Sequence, residues 1–370
     1  MDTTAAGILF DDEGRCNYCT NFERKLATYQ PTEAAALKRR LDDLVTRIKA
    51  DGRGKPYDCI VGLSGGADSA YTLYEVVRKC GLRALAVHMD NGWDSELAAN
   101  NIENLVRKLD VDLRTHVINW QEYRRLMQAF FAADVLDVEL LYDNAMLAVN
   151  YQLADKYGCK WILGGTNTTT EGMEMPVNWN WFKFDKKNIQ QLAKRSGVKL
   201  DTFPTIGTAE YVFYKYARRI RWIPFLDYVD YFKPRCTEIL VRELGYRAYA
   251  YKHYESIFTR FYQGYILPRK FGIDKRKLHL STLLMSGQLS REEAMQTMEE
   301  IPYPSEAALQ EDVDYFVKKM GWTPEQLNEY IARPQIPHAR YGTEKPRWDR
   351  FARLARRLNI VQSHLTIAKN

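Results

Sequence analysis

Ser64-Gly65-Gly66-Ala67-Asp68-Ser69 gathers two hydroxyls, two adjacent glycines and a carboxylate into six residues. That set can hold an anion. Glycines let the main chain approach closely and take positive φ. Hydroxyls and free main-chain N–H groups can then donate to phosphate oxygens. The carboxylate is a hard oxygen donor, the kind Mg2+ takes. A plain capped turn would need only one polar residue. The flanking residues suit the same reading. Asp58 to Leu63, "DCIVGL", reads as a short buried strand. Ala67 to Cys80 reads as a helix with Ala70, Leu73, Val76 and Val77 on one face. The motif therefore stands where a strand enters a helix N-terminus, the positive end of the helix dipole.

The Walker A pattern G-x-x-x-x-G-K-[ST] and the dinucleotide pattern G-x-G-x-x-G are both absent here. The six residues instead resemble the PP-loop of the N-type ATP pyrophosphatases. That resemblance implies cleavage of ATP between the α- and β-phosphates. It places Gly62, Leu63, Ser64, Gly65, Gly66 and Ser69 around pyrophosphate. Asp68 is then a Mg2+ ligand or, on the plainer view, a helix N-cap. Two further strand ends carry polar residues. "LRALAVHM" (82–89) contains His88 and runs into Asp90-Asn91-Gly92-Trp93. "KWILGG" (160–165) ends in Gly164-Gly165 and continues into Thr166-Asn167. In PP-loop enzymes the second strand end meets adenine and ribose, and the fourth adds a small-residue loop near the phosphates. By that resemblance His88, Asp90, Asn91, Gly164, Gly165, Thr166 and Asn167 join the ATP site, although each segment alone also fits an ordinary turn.

Positioning these loops requires alternating strands and helices. A strand at 112–118 follows a helix at 94–109, and helical sequence fills 120–157. The alternation predicts an α/β fold with a doubly wound parallel sheet of the PP-loop ATP pyrophosphatase type, with ligands at the carboxyl ends of its strands. Residues 1–24 read as loop, 33–50 as an amphipathic helix and "DGRGKPYD" as a linker. After 205 the alternation stops, and the sequence reads as mostly helical. Three regions are expected: an N-terminal Cys-x-x-Cys segment and helix (1–55), an ATP-binding domain (56–205) and a helical substrate-binding or assembly region (206–370). Hydrophobic residues make up 46% and charged residues 27% of 370, the balance of a soluble enzyme. No apolar run could span a bilayer and the N-terminus lacks a signal-peptide layout, so a cytoplasmic protein is expected. A net charge of +6 suits polyanionic small substrates and is too weak to argue for nucleic acid.

Longer stretches narrow the family. "FDDEGRCNYC", "GLSGGADS", "DNGW", "GGTN", "KHYESIFTRF" and "LPRKFGIDKRKLHLS" together resemble the N-acetyl sugar amidotransferases of bacterial O-antigen and flagellar-glycan biosynthesis, over about residues 1–305. The resemblance implies that ATP adenylates an acetamido oxygen of a nucleotide-activated sugar, a UDP-linked 2,3-diacetamido uronic acid being one type. Ammonia then replaces AMP to leave an acetamidino group. Magnesium would neutralise the pyrophosphate charge. Lys270, Lys275 and Arg276 are candidates for the same task, or are surface cations. Glu171, Asn178, Trp179 and Trp181 follow the fourth strand and could line a sugar pocket, or the tryptophans could be core. His253 could serve as a base for ammonium or be structural.

The family's ammonia comes from separate glutaminase and cyclase-like subunits resembling imidazole glycerol phosphate synthase. Those partners are implied by resemblance, as is the absence of nucleic-acid and membrane partners. Cys16 and Cys19 have zinc-ligand spacing but make half a site. The family commonly carries a second pair just ahead of a segment like Met1–Thr4, so an internal start is expected, with zinc at an incomplete site; Cys159 and Cys236 are alternative ligands. Two other activities share the loop chemistry: amidation of a sugar carboxylate, and tRNA thiolation, which needs an activated cysteine near the loop. A non-catalytic nucleotide sensor is the reading from outside enzymology.

Overall fold

The computed structural model describes residues 1–29 and 33–357. Five short strands form one parallel sheet: β1 (Cys59–Leu63), β2 (Ala84–Asp90), β3 (Asp112–Val117), β4 (Trp161–Gly164) and β5 (Arg221–Pro224). Their order is β3-β2-β1-β4-β5. The chain works outward from β1 to β3 on one side, then returns to place β4 on the other. That reversal opens a crevice between the carboxyl ends of β1 and β4, where ligands bind in such sheets. The α/β, doubly wound reading of the sequence is the observed fold, and the four strands read from it are β1 to β4.

Alternation along the strands builds two cores. Val61, Leu63, Ala86 and Leu163 face one side, against Ala70, Leu73 and Leu105 of the helices Ala67–Tyr74 and Glu96–Leu109. Ile60, Leu85, Val87, Met89 and Ile162 face the other, against Leu126 and Phe130 of Trp120–Ala132 and Leu141, Ala145 and Ala148 of Leu140–Lys156. β1, β2 and β4 are buried on both faces, as the inner strands of a parallel sheet require, which is why they read as continuous apolar runs.

Two readings need correction. The alternation does not stop at 205. β5 pairs with β4, Ile162 opposite Trp222 and Gly164 opposite Pro224, so the sheet extends past the expected boundary. Four residues with a terminal proline give too short a period-2 signal to be seen. Residues 17–24 are also not loop: they belong to the helix Asn17–Tyr29, which buries Tyr18 and Phe22. Its amphipathic repeat is short and starts inside the Cys-x-x-Cys motif. The basic-aromatic stretch 252–279 packs largely as core. Phe258, Phe261, Tyr262, Ile266 and Leu267 are buried along Ile257–Phe261 and the wide π-helical turns Tyr262–Phe271.

Candidate active site

The loop after β1 is held by its own side chains. The Ser64 N–H donates to Ser69 Oγ at 3.2 Å, and the Ser69 hydroxyl donates to the Gly66 carbonyl at 3.1 Å. Gly65 has φ +82°, and a Cβ there would stand 2.9 Å from that of Ala98. Its carbonyl accepts from the hydroxyls of Tyr246 (3.3 Å) and Tyr249 (3.1 Å). Gly66 takes the N-cap position of Ala67–Tyr74 with no side-chain cap, leaving the helix end to a ligand. Asp68 makes no capping bond to this helix. The fourth-strand loop packs directly on this end: a Cβ on Gly165 would lie 2.7 Å from the Ser69 nitrogen and 2.8 Å from the Asp68 carbonyl carbon. Asn167 caps the short helix Thr168–Glu171 and so serves its own loop.

A cavity of about 520 Å³ opens above these loops, lined by Gly62 to Ser69 apart from Gly65, by Gly164 to Thr166, and by Val87, Met89, Glu171, Lys233, Lys252 and His253 among others. Asp68 lies on its wall, paired with the Lys233 ammonium at 2.9 Å and accepting from the Tyr231 hydroxyl. Burial opposes its charge, but Lys233 and Tyr231 outweigh burial and hold the carboxyl below its ordinary range. Lys233 is raised for the reciprocal reason, Asp68 outweighing burial. Lys252 pairs with Glu171 at 3.0 Å and stands 3.3 Å from His279. Burial, then Lys252 and Lys233, push His279 well down, so its imidazole is neutral. Glu255 reaches within 3.7 Å of the Cβ position of Gly66 and lies 3.4 Å from His253. His253 is one of four non-glycine residues among those described with positive φ, at 65°. Such a backbone persists where the surroundings impose it.

Two more cavities, of about 400 and 460 Å³, adjoin the first. Thr166, Glu171 and His253 line all three. The second is rich in carboxylates, with Asp94, Glu139, Asp143 and Glu255 on its wall. Burial raises Asp143 despite Lys183 at 2.8 Å.

Several sequence candidates do not reach the loop. His88 and Asp90 point to the opposite face of β2, because side chains alternate and Val87 and Met89 take the cavity side. His88 bridges the Leu63 carbonyl and Asp94, both at 3.0 Å. Asn91 lines the second cavity, not the first. Lys270 is a structural residue: its side chain is fully buried, its ammonium on Asp134 (3.0 Å) and the carbonyls of Tyr330 and Arg333. Lys275 pairs with Glu139 at 2.8 Å on the second cavity. Arg276 clasps Asp274 and the carbonyls of Thr297 and Glu300 beside the third. Asn178 and Trp179 anchor the N-terminal segment through Thr4 and Ala6. Trp181 stacks on His338, ring centroids 4.9 Å apart. None of these three lines the cavities; Glu171 and His253 do.

The cations that do flank the loop, Lys233 and Lys252, were missed. Lys233 did leave a trace. It precedes Pro234 at the first turn of Lys233–Leu244, where a cation opposes the helix dipole and so must have another partner. Asp68, a cationic neighbour and a bare helix N-terminus suit ATP with Mg2+, the loop N–H groups and Lys233 taking phosphate and Asp68 the metal. Zinc does not fit. Cys16 and Cys19 lie 3.3 Å apart, and no group of three or more His, Cys, Asp or Glu able to hold a metal occurs among the described residues. Cys159 and Cys236 do not complete a site; the former's thiol faces the Tyr57 carbonyl, and both are buried. Among the described residues no helix is long and apolar enough to cross a membrane.

Residues 255–355 match the family model of the "LPS biosynthesis protein WbpG-like, C-terminal domain". An uncharacterized protein of Methanocaldococcus jannaschii is 28% identical over 115 residues, 27% of this chain and 41% of that relative, so the match spans about two fifths of its length. Among solved structures, the chain is similar to an NH3-dependent NAD synthetase from Campylobacter jejuni (14% identity, 58% of this chain and 94% of that one, TM-score 0.30). It is also similar to an NMN synthetase from Francisella tularensis (17%, 56% and 93%, TM-score 0.30). The fold assignment stands on the sheet order and the loop geometry. The loop stands at the switch point of the sheet, and the segment similar to the WbpG-like C-terminal domain supplies Glu255 and the residues after it beside that loop.

Proposed function

We propose that the protein is an AMP-forming amidotransferase that converts an acetamido group of a nucleotide-activated sugar into an acetamidino group. The observation that carries this is the junction of three cavities at Thr166, Glu171 and His253, beside the phosphate cradle. Such a site can seat ATP and a second large substrate with their reacting atoms adjacent. The amide oxygen attacks the α-phosphorus, the bond to the β-phosphate oxygen breaks, and pyrophosphate leaves into the Ser64–Ser69 cradle. Ammonia adds to the activated carbon, AMP departs with the oxygen, and the amidine retains a proton as a cation. Bound Mg2+ would offset the pyrophosphate charge. Lys233 and the helix N-terminus do so from the protein side. The carboxylate and phosphates of a UDP-linked uronic acid would meet Lys252 and Lys275, drawing them from Glu171 and Glu139, and ammonia would come from a partner glutaminase.

Thiolation is disfavoured because none of the six cysteines lines any of the three cavities, and burial pushes Cys59 well up and Cys159 up to about 11. The test is product analysis with Mg-ATP, ammonium and a UDP-diacetamido uronic acid. Sugar-dependent AMP and pyrophosphate with a new cationic sugar is expected. A product that loses its negative charge without gaining a positive one would show carboxylate amidation instead. AMP elicited by tRNA and by no acetamido sugar would overturn the reading.

A further inference from the structure

Two buried polar atoms on the first cavity have no partner. Asn150, 2% exposed, sits on the helix Leu140–Lys156. Its Nδ2 donates to the Met146 carbonyl at 2.9 Å, which fixes the amide orientation and leaves Oδ1 without a donor. Trp222 of β5 has a buried indole N–H with no acceptor. Both residues line the cavity. They stand over adjacent strands on one face of the sheet. A Cβ on Gly62 of β1 would lie 3.5 Å from Asn150 Oδ1, and one on Gly164 of β4 would lie 2.6 Å from Trp222 Nε1. Ile60 pairs with Ile162 and Val61 with Leu163, so Gly62 and Gly164 come next in the same register. An unpaired acceptor and an unpaired donor therefore stand over neighbouring strands on one face of the sheet. Leaving both unmet in a buried wall costs stability, so the pair is matched to something that enters.

The surroundings say what. Val87, Met89 and Met146 make the neighbouring wall apolar, suited to the faces of a flat ring. Gly62 lies two residues before Ser64, so the pair stands roughly 7 Å along β1 from the phosphate cradle. We infer that Asn150 and Trp222 read the edge of an adenine base, Oδ1 accepting from the exocyclic amino group and the indole N–H donating to the adjacent ring nitrogen. The two atoms of that edge are close enough together to meet both partners at once. Hypoxanthine reverses the edge: its carbonyl oxygen would face Asn150 Oδ1 and its ring N–H would face the indole N–H. Gly62 and Gly164 keep the floor flat beneath the pair. This assignment rests on the cavity taking ATP, as proposed above.

Calorimetric binding of Mg-ATP, Mg-ITP and inorganic Mg-tripolyphosphate to the whole protein, without sugar or ammonium, tests it. The wild type should prefer ATP over ITP by roughly 50-fold or more, as sites that pair a buried hydrogen-bonding edge do. Asn150→Leu should weaken ATP about tenfold, leave ITP nearly unchanged and so collapse the preference. Trp222→Phe, which keeps an aromatic ring, should also weaken ATP about tenfold. Neither should move tripolyphosphate binding. Variants that bind ATP and ITP as the wild type does would overturn the base-reading role and leave the proposed activity standing. A wild type that binds tripolyphosphate but not ATP would overturn both.

Discussion

Four lysines illustrate how little a residue's type decides by itself. Lys233 and Lys252 face the phosphate cradle, Lys275 faces the second cavity and Lys270 faces none of these. On the proposed reaction, Lys233→Met should cut AMP formation 100-fold or more, because its charge would meet the departing pyrophosphate. Lys270→Met should leave the ATP dependence of the rate unchanged and instead lower stability by about 2 kcal/mol, since it removes the buried donor to the Tyr330 and Arg333 carbonyls while Arg333 still holds Asp134 at 2.9 Å. Parallel rate and urea-unfolding measurements on the two variants separate these roles. The Asp68–Lys233 pair also carries a pH signature. Asp68 is held below its ordinary 3.8, so its contribution stands at higher pH and is lost as pH falls through the folded value. Lys233 is raised above 10.5, so its contribution is full below that and is lost as pH rises through its folded value. Asp68→Asn should flatten part of the acid limb of stability against pH, measured by chemical unfolding. An acid limb identical to the wild type would refute the pairing.

Elements set which residues can meet. The β1 loop and the Gly164-Gly165 loop were legible because parallel strands put their polar ends on one edge, and position follows from order along the sheet. Gly165→Ala tests that contact. Its Cβ would press on the helix main chain, so Mg-ATP affinity should fall at least tenfold while β4 itself persists by circular dichroism. The His88 assignment failed at the same scale: a strand end was legible, but which face each residue took required the register. The helical region from 225 onward had a legible composition and an illegible arrangement, because Lys233, Lys252 and Glu255 come to the loop from turns whose path is set by tertiary packing. His338 shows how that region is tied down. Its Nε2 accepts from the Asp137 N–H at 3.0 Å, and Nδ1 is 2.8 Å from Asn188 Oδ1. Burial pushes its pKa from 6.5 to about 3. The unfolded chain binds this proton first, so stability should decline as pH falls from 6.5 toward 3, and His338→Gln should reduce that slope.

For the whole molecule, ligand binding and folding are one equilibrium. A nucleotide at 100 times its Kd stabilises the native state by about 2.7 kcal/mol. For a chain of 370 residues that corresponds to a Tm rise of about 3 °C. Differential scanning calorimetry with Mg-ATP should show that rise; no rise at saturating nucleotide would argue against a preformed cradle. The resting site is also nearly neutral within itself. Asp68 and Lys233 already satisfy each other, so a lone divalent cation gains a carboxylate only by stranding an ammonium, and a lone anion gains the ammonium only by stranding a carboxylate. When both arrive together, the two side chains exchange partners and neither is left alone. Metal and nucleotide should therefore enter as a couple, each raising the other's affinity, and free phosphate in the cell should find the cradle closed to it.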